Sequence, residues 1–263
     1  MKTKIKKFGI EIEGEFSEEL RRELEYLEIG KFVSDGSINS CSRTNVRRLP
    51  NGHKVPLVCA EYVTDPFLYK NEEHEDLVNE LFSLLDAYYD KGHFHFNKTM
   101  GMHIHFSFEP KLPSEIWSIE FVRYFEKQMK RTFPGVHSSR IEGTYCKRIR
   151  NEVEVSTGVD RYREINFRSA FNKHGTIEFR IFPTTNPKRM RRFLEFTKDR
   201  LNGFIRRERT MLSKSFEFEV AGKRRITRTQ KVEVATGIIE DGEDSEVNRQ
   251  NVSEEEIVER VIS

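Results

Sequence analysis

Polar side chains recur two positions apart inside segments that are otherwise apolar, and this alternation constrains the fold of the chain more than any other feature. In "KFGIEIEGEF", residues 7–16, Glu11 and Glu13 fall on one face and Ile10 and Ile12 on the other. "GMHIHFSF", residues 101–108, sets His103 and His105 against Met102, Ile104 and Phe106, and "GTIEFRIFP", residues 175–183, sets Glu178 and Arg180 against Ile177 and Phe179. A period of two belongs to a strand and not to a helix. A fourth strand, "LVCAEYV" at residues 57–63, carries Glu61.

Between these strands the apolar period lengthens to that of helices. Ser17 can cap "EELRRELEYLE", with Leu20, Leu24 and Leu27 inward and Gly30 as its stop. Residues 71–92 form a second helix with Leu77, Leu81, Leu84, Leu85 and Tyr88 in one stripe, and a third is expected from Ser114 to Phe133. Residues 34–56 read as a loop or hairpin. "REINFRSAF" and "GTIEFRIFP" pair around the "NKHG" turn, and Pro187 opens a basic helix to residue 209. Helices interleaved with antiparallel strands indicate an α+β fold, an antiparallel sheet with a concave active-site face and packed helices. The expected division is a catalytic domain over 1–212, then a hairpin appendage and an acidic flexible tail over 213–263.

Charge narrows the partners. The 45 Lys and Arg against 43 Asp and Glu leave a net charge of +2, so nothing global demands nucleic acid. A nucleic-acid or virion-binding module acting through the basic helix 187–209 is an alternative that this balance argues against. Cys41, Cys59 and Cys146 are widely spaced without a CxxC, so neither a disulfide framework nor a zinc ribbon is expected, and a reducing cytoplasm fits. No leader core or membrane span is read. A P-loop, a GxGxxG after a strand and an HExxH are all missing from the sequence.

Each polar pair, taken singly, is what the solvent face of a half-buried sheet provides. Solvent faces, however, mix Lys, Thr and Ser with acids. These positions supply only Glu, His and one Arg, the types that bind hard divalent cations and the phosphate they carry. Carboxylates favour magnesium, and histidine among them admits manganese. Such a cluster also suits a metal-dependent hydrolase or nuclease, which would need no ATP.

"GMHIHFS" resembles the GMHxHxS segment of glutamine synthetases, "IEFR" is similar to the Glu-x-Arg strand of that superfamily, and "FGIEIE" resembles its first metal-binding strand. Within the superfamily the chain resembles the amidoligase family of carboxylate–amine ligases, in "FGIEIE", "AEYVTDPF", "GMHIHF", "RIEGTYC", "RYREINF" and "GTIEFRIFPTT", in that order over roughly residues 7–205. Met100 stands where many members carry a cysteine, and "AEYVTDPF" follows the family's segment loosely; both departures bear on the substrate pocket rather than on the metal cluster.

The resemblance implies a glutamine synthetase-like catalytic domain that phosphorylates a carboxylate with ATP and lets an amine displace phosphate from the acyl phosphate. The amine or carboxylate would be an amino acid, peptide or polyamine. It further implies that Glu11, His103 and Glu178 hold the ion nearest the ATP phosphates, and Glu13 and Glu61 the ion nearer the acceptor carboxylate. Arg180 would stabilise the transferred phosphoryl group. His105 is expected either at a phosphate or orienting a ligand. Arg140 and Arg168, with Arg161 and Arg163, are candidate phosphate or carboxylate clamps, and Asn166 either bonds substrate or closes a turn. His93 and His95 follow a helix C-terminus, where the dipole alone favours histidine.

Overall fold

The structure, a computed structural model, describes residues 4–34, 36, 38, 46–49, 52–109, 116–136, 146–157, 162–167 and 175–207. Its elements are β1 (Lys4–Ser17), α1 (Glu18–Tyr26), β2 (Gly30–Val33), β3 (Val46–Arg48), β4 (Lys54–Thr64), β5 (Phe67–Leu68), α2 (Glu72–Asp90), β6 (Phe94–His95), β7 (Gly101–Glu109), α3 (Ile119–Thr132), α4 (Glu152–Thr157), β8 (Ile165–Asn166), β9 (Thr176–Pro183) and α5 over 187–207. The main sheet runs β2-β4-β1-β7-β9-β8, and β3 pairs with β4 while β5 and β6 pair with β1. Every pairing between these strands is antiparallel. Mixed helices and antiparallel sheet make this an α+β fold.

Alternation decides which face the helices cover. Phe8, Ile10, Ile12 and Phe16 of β1 are buried together with Met102, Ile104 and Phe106 of β7 and Phe179 of β9. Against them α3 and α5 bring aromatic rings: Phe125 lies 4.7 Å from Phe179, and Phe193 stacks at 4.7 Å on Phe182. On the β4 side the Tyr62 hydroxyl donates to the Leu24 carbonyl of α1, and Phe94 packs on Phe16 at 5.1 Å. One face of the sheet is therefore spent on the core, and the polar positions of the same strands project from the other.

Capping sets the helix limits. Ser17 Oγ accepts from Leu20 N as expected, but α1 ends at Tyr26 rather than reaching Gly30, with Glu28 turning the chain at φ 54. The third helix starts at Ile119 and not at Ser114. There Ser118 Oγ accepts from Phe121 N, and Glu152 Oε2 accepts from Ile119 N at 2.8 Å, a partner remote in sequence. β4 begins at Lys54 and pairs with β3, so the end of the expected loop is a hairpin.

Candidate metal and active site

Cross-strand register converts four separate alternations into one site. Glu11 lies opposite His103, Glu13 opposite Glu61, and His105 opposite Glu178, which in turn faces Asn166 of β8. Directly opposed residues share a face. Glu11 therefore meets both histidines, its Oε2 3.0 Å from His103 Nδ1 and its Oε1 3.0 Å from His105 Nε2. His103 is also 3.6 Å from Glu178 Oε1, 3.8 Å from Glu61 Oε1 and, through Nε2, 3.6 Å from Glu13 Oε1.

The backbone and neighbouring side chains hold these groups. Glu13 Oε2 accepts from Gly101 N at 2.5 Å, and the Thr184 hydroxyl donates to the Glu13 carbonyl. Glu178 is held on both oxygens, Oε2 by Asn166 Nδ2 at 2.6 Å and Oε1 by Arg180 Nη1. Burial opposes ionisation of Glu11, but the His103 hydrogen bond and the close contacts and charges of His103 and His105 outweigh it and hold the carboxyl well below the usual range. Burial likewise disfavours a charged Arg180 or His105, and the surrounding carboxylates overcome it and raise both.

Two triads among the described residues have the spacing of metal ligands: Glu11, His105 and Glu178, and Glu11, Glu61 and His103, each with its ligand atoms within 4.8 Å of one another. Glu11 belongs to both. Neighbouring oxygen or nitrogen ligands at about 2.1 Å from an octahedral ion stand about 3 Å apart, which matches the two 3.0 Å contacts of Glu11. His105 Nε2 is buried and forms no aligned hydrogen bond despite its closeness to Glu11. A buried imidazole nitrogen set among carboxylates without an aligned hydrogen bond is a position where a bound cation would take the place of a ring proton. The donor set of carboxylates with one imidazole per triad fits magnesium or manganese.

The triads divide the histidines differently from the sequence expectation. His105 groups with Glu178 and His103 with Glu61, although His103 Nδ1 stands between the two carboxylates, 3.6 Å from Glu178 Oε1 and 3.8 Å from Glu61 Oε1. Arg140 and Arg168 lie outside the described residues, as do Arg161, residues 172–174 of the "NKHG" turn and the segment 213–263. Arg163 is tied to the Arg148 carbonyl and to Glu154, away from the triads. His93 Nδ1 contacts Ser17 Oγ at 3.0 Å and belongs to the α1 cap. Sequence reasoning passed over Glu15 and explained His95 by the helix C-terminus before it; the two meet on the polar face at 3.3 Å. Glu15 was visible as the third member of the Glu11, Glu13 alternation; its partner was not, since β6 is only two residues long.

Beside His105 a cavity of ≈ 250 Å³ opens over Gly9, walled by Lys7, Val63, Pro66, Ser107 and Thr176. A β-carbon at Gly9 would meet nothing closer than Thr64 Oγ1 at 4.0 Å. The absence of a side chain there leaves the cavity open and is not required by packing.

A protein-family model described as "Putative amidoligase enzyme" matches residues 4–157, more than half of the chain. The chain belongs to this amidoligase family. The matched span of the amidoligase holds β1, β4 and β7, and so Glu11, Glu13, Glu61, His103 and His105, while Glu178 and Arg180 join from β9 beyond it. No curated protein and no solved structure matches the amidoligase chain. Among its described residues no helix is long and apolar enough to cross a membrane.

Proposed function

We propose that the protein is an ATP-dependent carboxylate–amine ligase that works through an acyl phosphate on a glutamine synthetase-like catalytic domain. The observation that carries this reading is the pair of ligand triads sharing Glu11 with Arg180 beside them. Phosphoryl transfer from a nucleotide to a carboxylate brings several anionic oxygens together, and divalent cations held by such triads would neutralise them. Glu11, His105 and Glu178 would hold one Mg2+ or Mn2+, and Glu11, Glu61 and His103, with Glu13 adjoining, a second.

The remaining roles follow from position. Arg180, fixed by Glu178, presents a permanent cation to the charge that develops on the transferring phosphoryl group. The cavity over Gly9 borders the Glu11, His105 and Glu178 triad, and its largely apolar walls with Lys7, Ser107 and Thr176 suit a nucleoside. The carboxylate substrate then lies towards Glu13 and Glu61. Gathering carboxylates on one face costs stability unless cations neutralise them, so the arrangement is one that cation binding relieves.

The test is incubation with Mg-ATP and a panel of amino acids, peptides and polyamines, reading ADP release and product mass together. Oxygen-18 in the carboxylate substrate should appear in inorganic phosphate, because an acyl phosphate passes one carboxylate oxygen to it. Product without that transfer, or cleavage of an amide or phosphodiester without ATP, overturns the reading.

A further inference from the structure

Glu15 continues the polar face of β1 one step past Glu13, and three residues stand abreast there: Cys59 on β4, Glu15 on β1 and His95 on β6. The Cys59 thiol donates to Glu15 Oε1 at 3.8 Å and His95 Nδ1 lies 3.3 Å from Oε2. The Glu15 side chain is 3% exposed and that of His95 34% exposed, so a buried carboxylate connects to solvent past an imidazole. Gly14 makes the close approach of β6 possible, since a β-carbon on it would meet Phe94 at 2.5 Å. This row takes no part in either metal triad.

Resting on the ligase reading above, we infer that Glu15, His95 and Cys59 form the subsite for the amine, which binds as an ammonium cation and gives up its proton to His95. β1 acts as a ruler for the reaction. Outward positions along a strand repeat about every 6.8 Å, and the sequence of them runs from Gly9 at the cavity, through Glu11 in both triads, to Glu13 opposite Glu61, and then Glu15. With the nucleoside at the first and the phosphates at the second, the acyl group occupies the third. The amine must reach the acyl carbon from the side away from the nucleotide, and the fourth position supplies a buried carboxylate there. Such a group binds a cation strongly because little water competes for it.

The same contact prepares a base. A proton on His95 Nδ1 donated to Glu15 leaves Nε2 as the ring's acceptor. The ammonium gives one proton to Nε2; the freed nitrogen lone pair forms the C–N bond to the acyl carbon as the C–O bond to phosphate breaks, its electron pair leaving with phosphate. The surplus proton on the new amide nitrogen passes to phosphate, and the proton on His95 passes to solvent.

Cys59 is half-buried and serves as a reporter. The full chain with Mg-ATP is treated with iodoacetamide, and alkylation of Cys59 is followed by peptide mass in the presence of ammonium, L-lysine, putrescine or spermidine, with 1,4-butanediol as the uncharged control. At least one amine should slow alkylation saturably where butanediol does not, and Glu15→Gln should raise the half-protecting concentration about tenfold or more, as loss of a charge-assisted hydrogen bond requires. The subsite is overturned if no amine protects, if butanediol protects as well, or if Glu15→Gln is protected like the wild type. Should that variant fail to fold, the comparison of amine with alcohol on the wild type still decides. ATP affinity measured on the same sample reports on the ligase reading separately: tight ATP binding without amine protection removes the subsite alone, and amine protection without ATP binding removes the ligase alone.

Discussion

Glu178 shows how much a single side chain depends on its neighbours. With Asn166 on one oxygen and Arg180 on the other, its carboxylate is aimed before any ligand arrives. Asn166→Ala should weaken Mn2+ binding, followed by electron paramagnetic resonance, about 10- to 100-fold while leaving thermal stability close to wild type. Arg180→Ala should lower turnover about 10²- to 10³-fold with a much smaller change in ATP affinity, because an arginine aimed at a transferring phosphoryl group gains most as charge develops. Lysine at 180 should restore part of the loss, lacking the planar two-pronged donor. Gly9→Val tests the cavity: the position tolerates a side chain sterically, so the variant should fold and bind Mn2+ normally yet bind ATP at least about tenfold more weakly, by loss of the space over β1. Unchanged ATP affinity would place the nucleoside elsewhere. The outward placement of Glu11, Glu13, His103, Glu178 and Arg180 was legible in the sequence because a period of two leaves no other choice. The pairing of Asn166 with Glu178 was not, since it depends on a register that a two-residue β8 cannot announce.

Among the elements, α1 ends short of the expected Gly30, and α3 is the one whose start the sequence misplaced, where a tertiary contact joins the local cap. Like α1 and α2, capped by Ser17 and Asn71, it has a local cap in Ser118, but its first amide is satisfied by Glu152 from α4, a contact invisible to local pattern. α3 also carries Glu126, which two arginines grip: Arg148 by Nε and Nη2 at 2.8 Å each, and Arg123 by Nη1. Behind it lies Glu164, fully buried, with Oε1 accepting from Ile149 N. Burial first, and then the Glu126 charge, push the Glu164 carboxyl well above the usual range, whereas Arg148, Glu164 and Arg123 together overcome the burial of Glu126 and draw it down to about 2. A proton on Glu164 Oε2, which finds no donor, turns its contact with Glu126 into a hydrogen bond. The two shifts have opposite consequences. Glu164 binds a proton more tightly folded than unfolded, so its contribution is fully present below about pH 4.5 and declines as pH rises through its raised folded value; Glu126 contributes above about pH 4.5 and its share is lost as pH falls towards 2. Glu164→Gln keeps a donor without a proton to lose. It should flatten the fall in melting temperature as pH rises above about 4.5, while Glu126→Gln, which strips the arginines of their partner, should cost about 1–3 kcal/mol at pH 7 in urea unfolding.

At the scale of the whole molecule the sheet is a partition, with rings packed on one side and ionisable groups set out on the other, and the two sides are joined through single residues of β9. Phe179 points into the core and touches Phe106, Phe121 and Phe125, while Glu178 and Arg180, its immediate neighbours, point to the triads. The sequence announced this division in "IEFRIF", and the α+β class followed from it, but the strand order did not, since alternation says which face a residue takes and not which strand stands beside it. Coupling across the partition is testable. Phe179→Ala removes a fully buried ring at the junction of β7, β9 and α3 and should cost about 3–5 kcal/mol in urea unfolding. Phe179→Leu, which refills most of the volume, should cost less than half of that. If the helical layer is what holds Glu178 and Arg180 in register, Mn2+ affinity measured under conditions where each variant is still folded should fall in the same order, alanine well below leucine and leucine close to wild type. A stability loss of the expected size with Mn2+ affinity unchanged would mean that Asn166 and the strand hydrogen bonds alone fix the site, and that the core beneath β9 supports the fold without tuning the metal ligands.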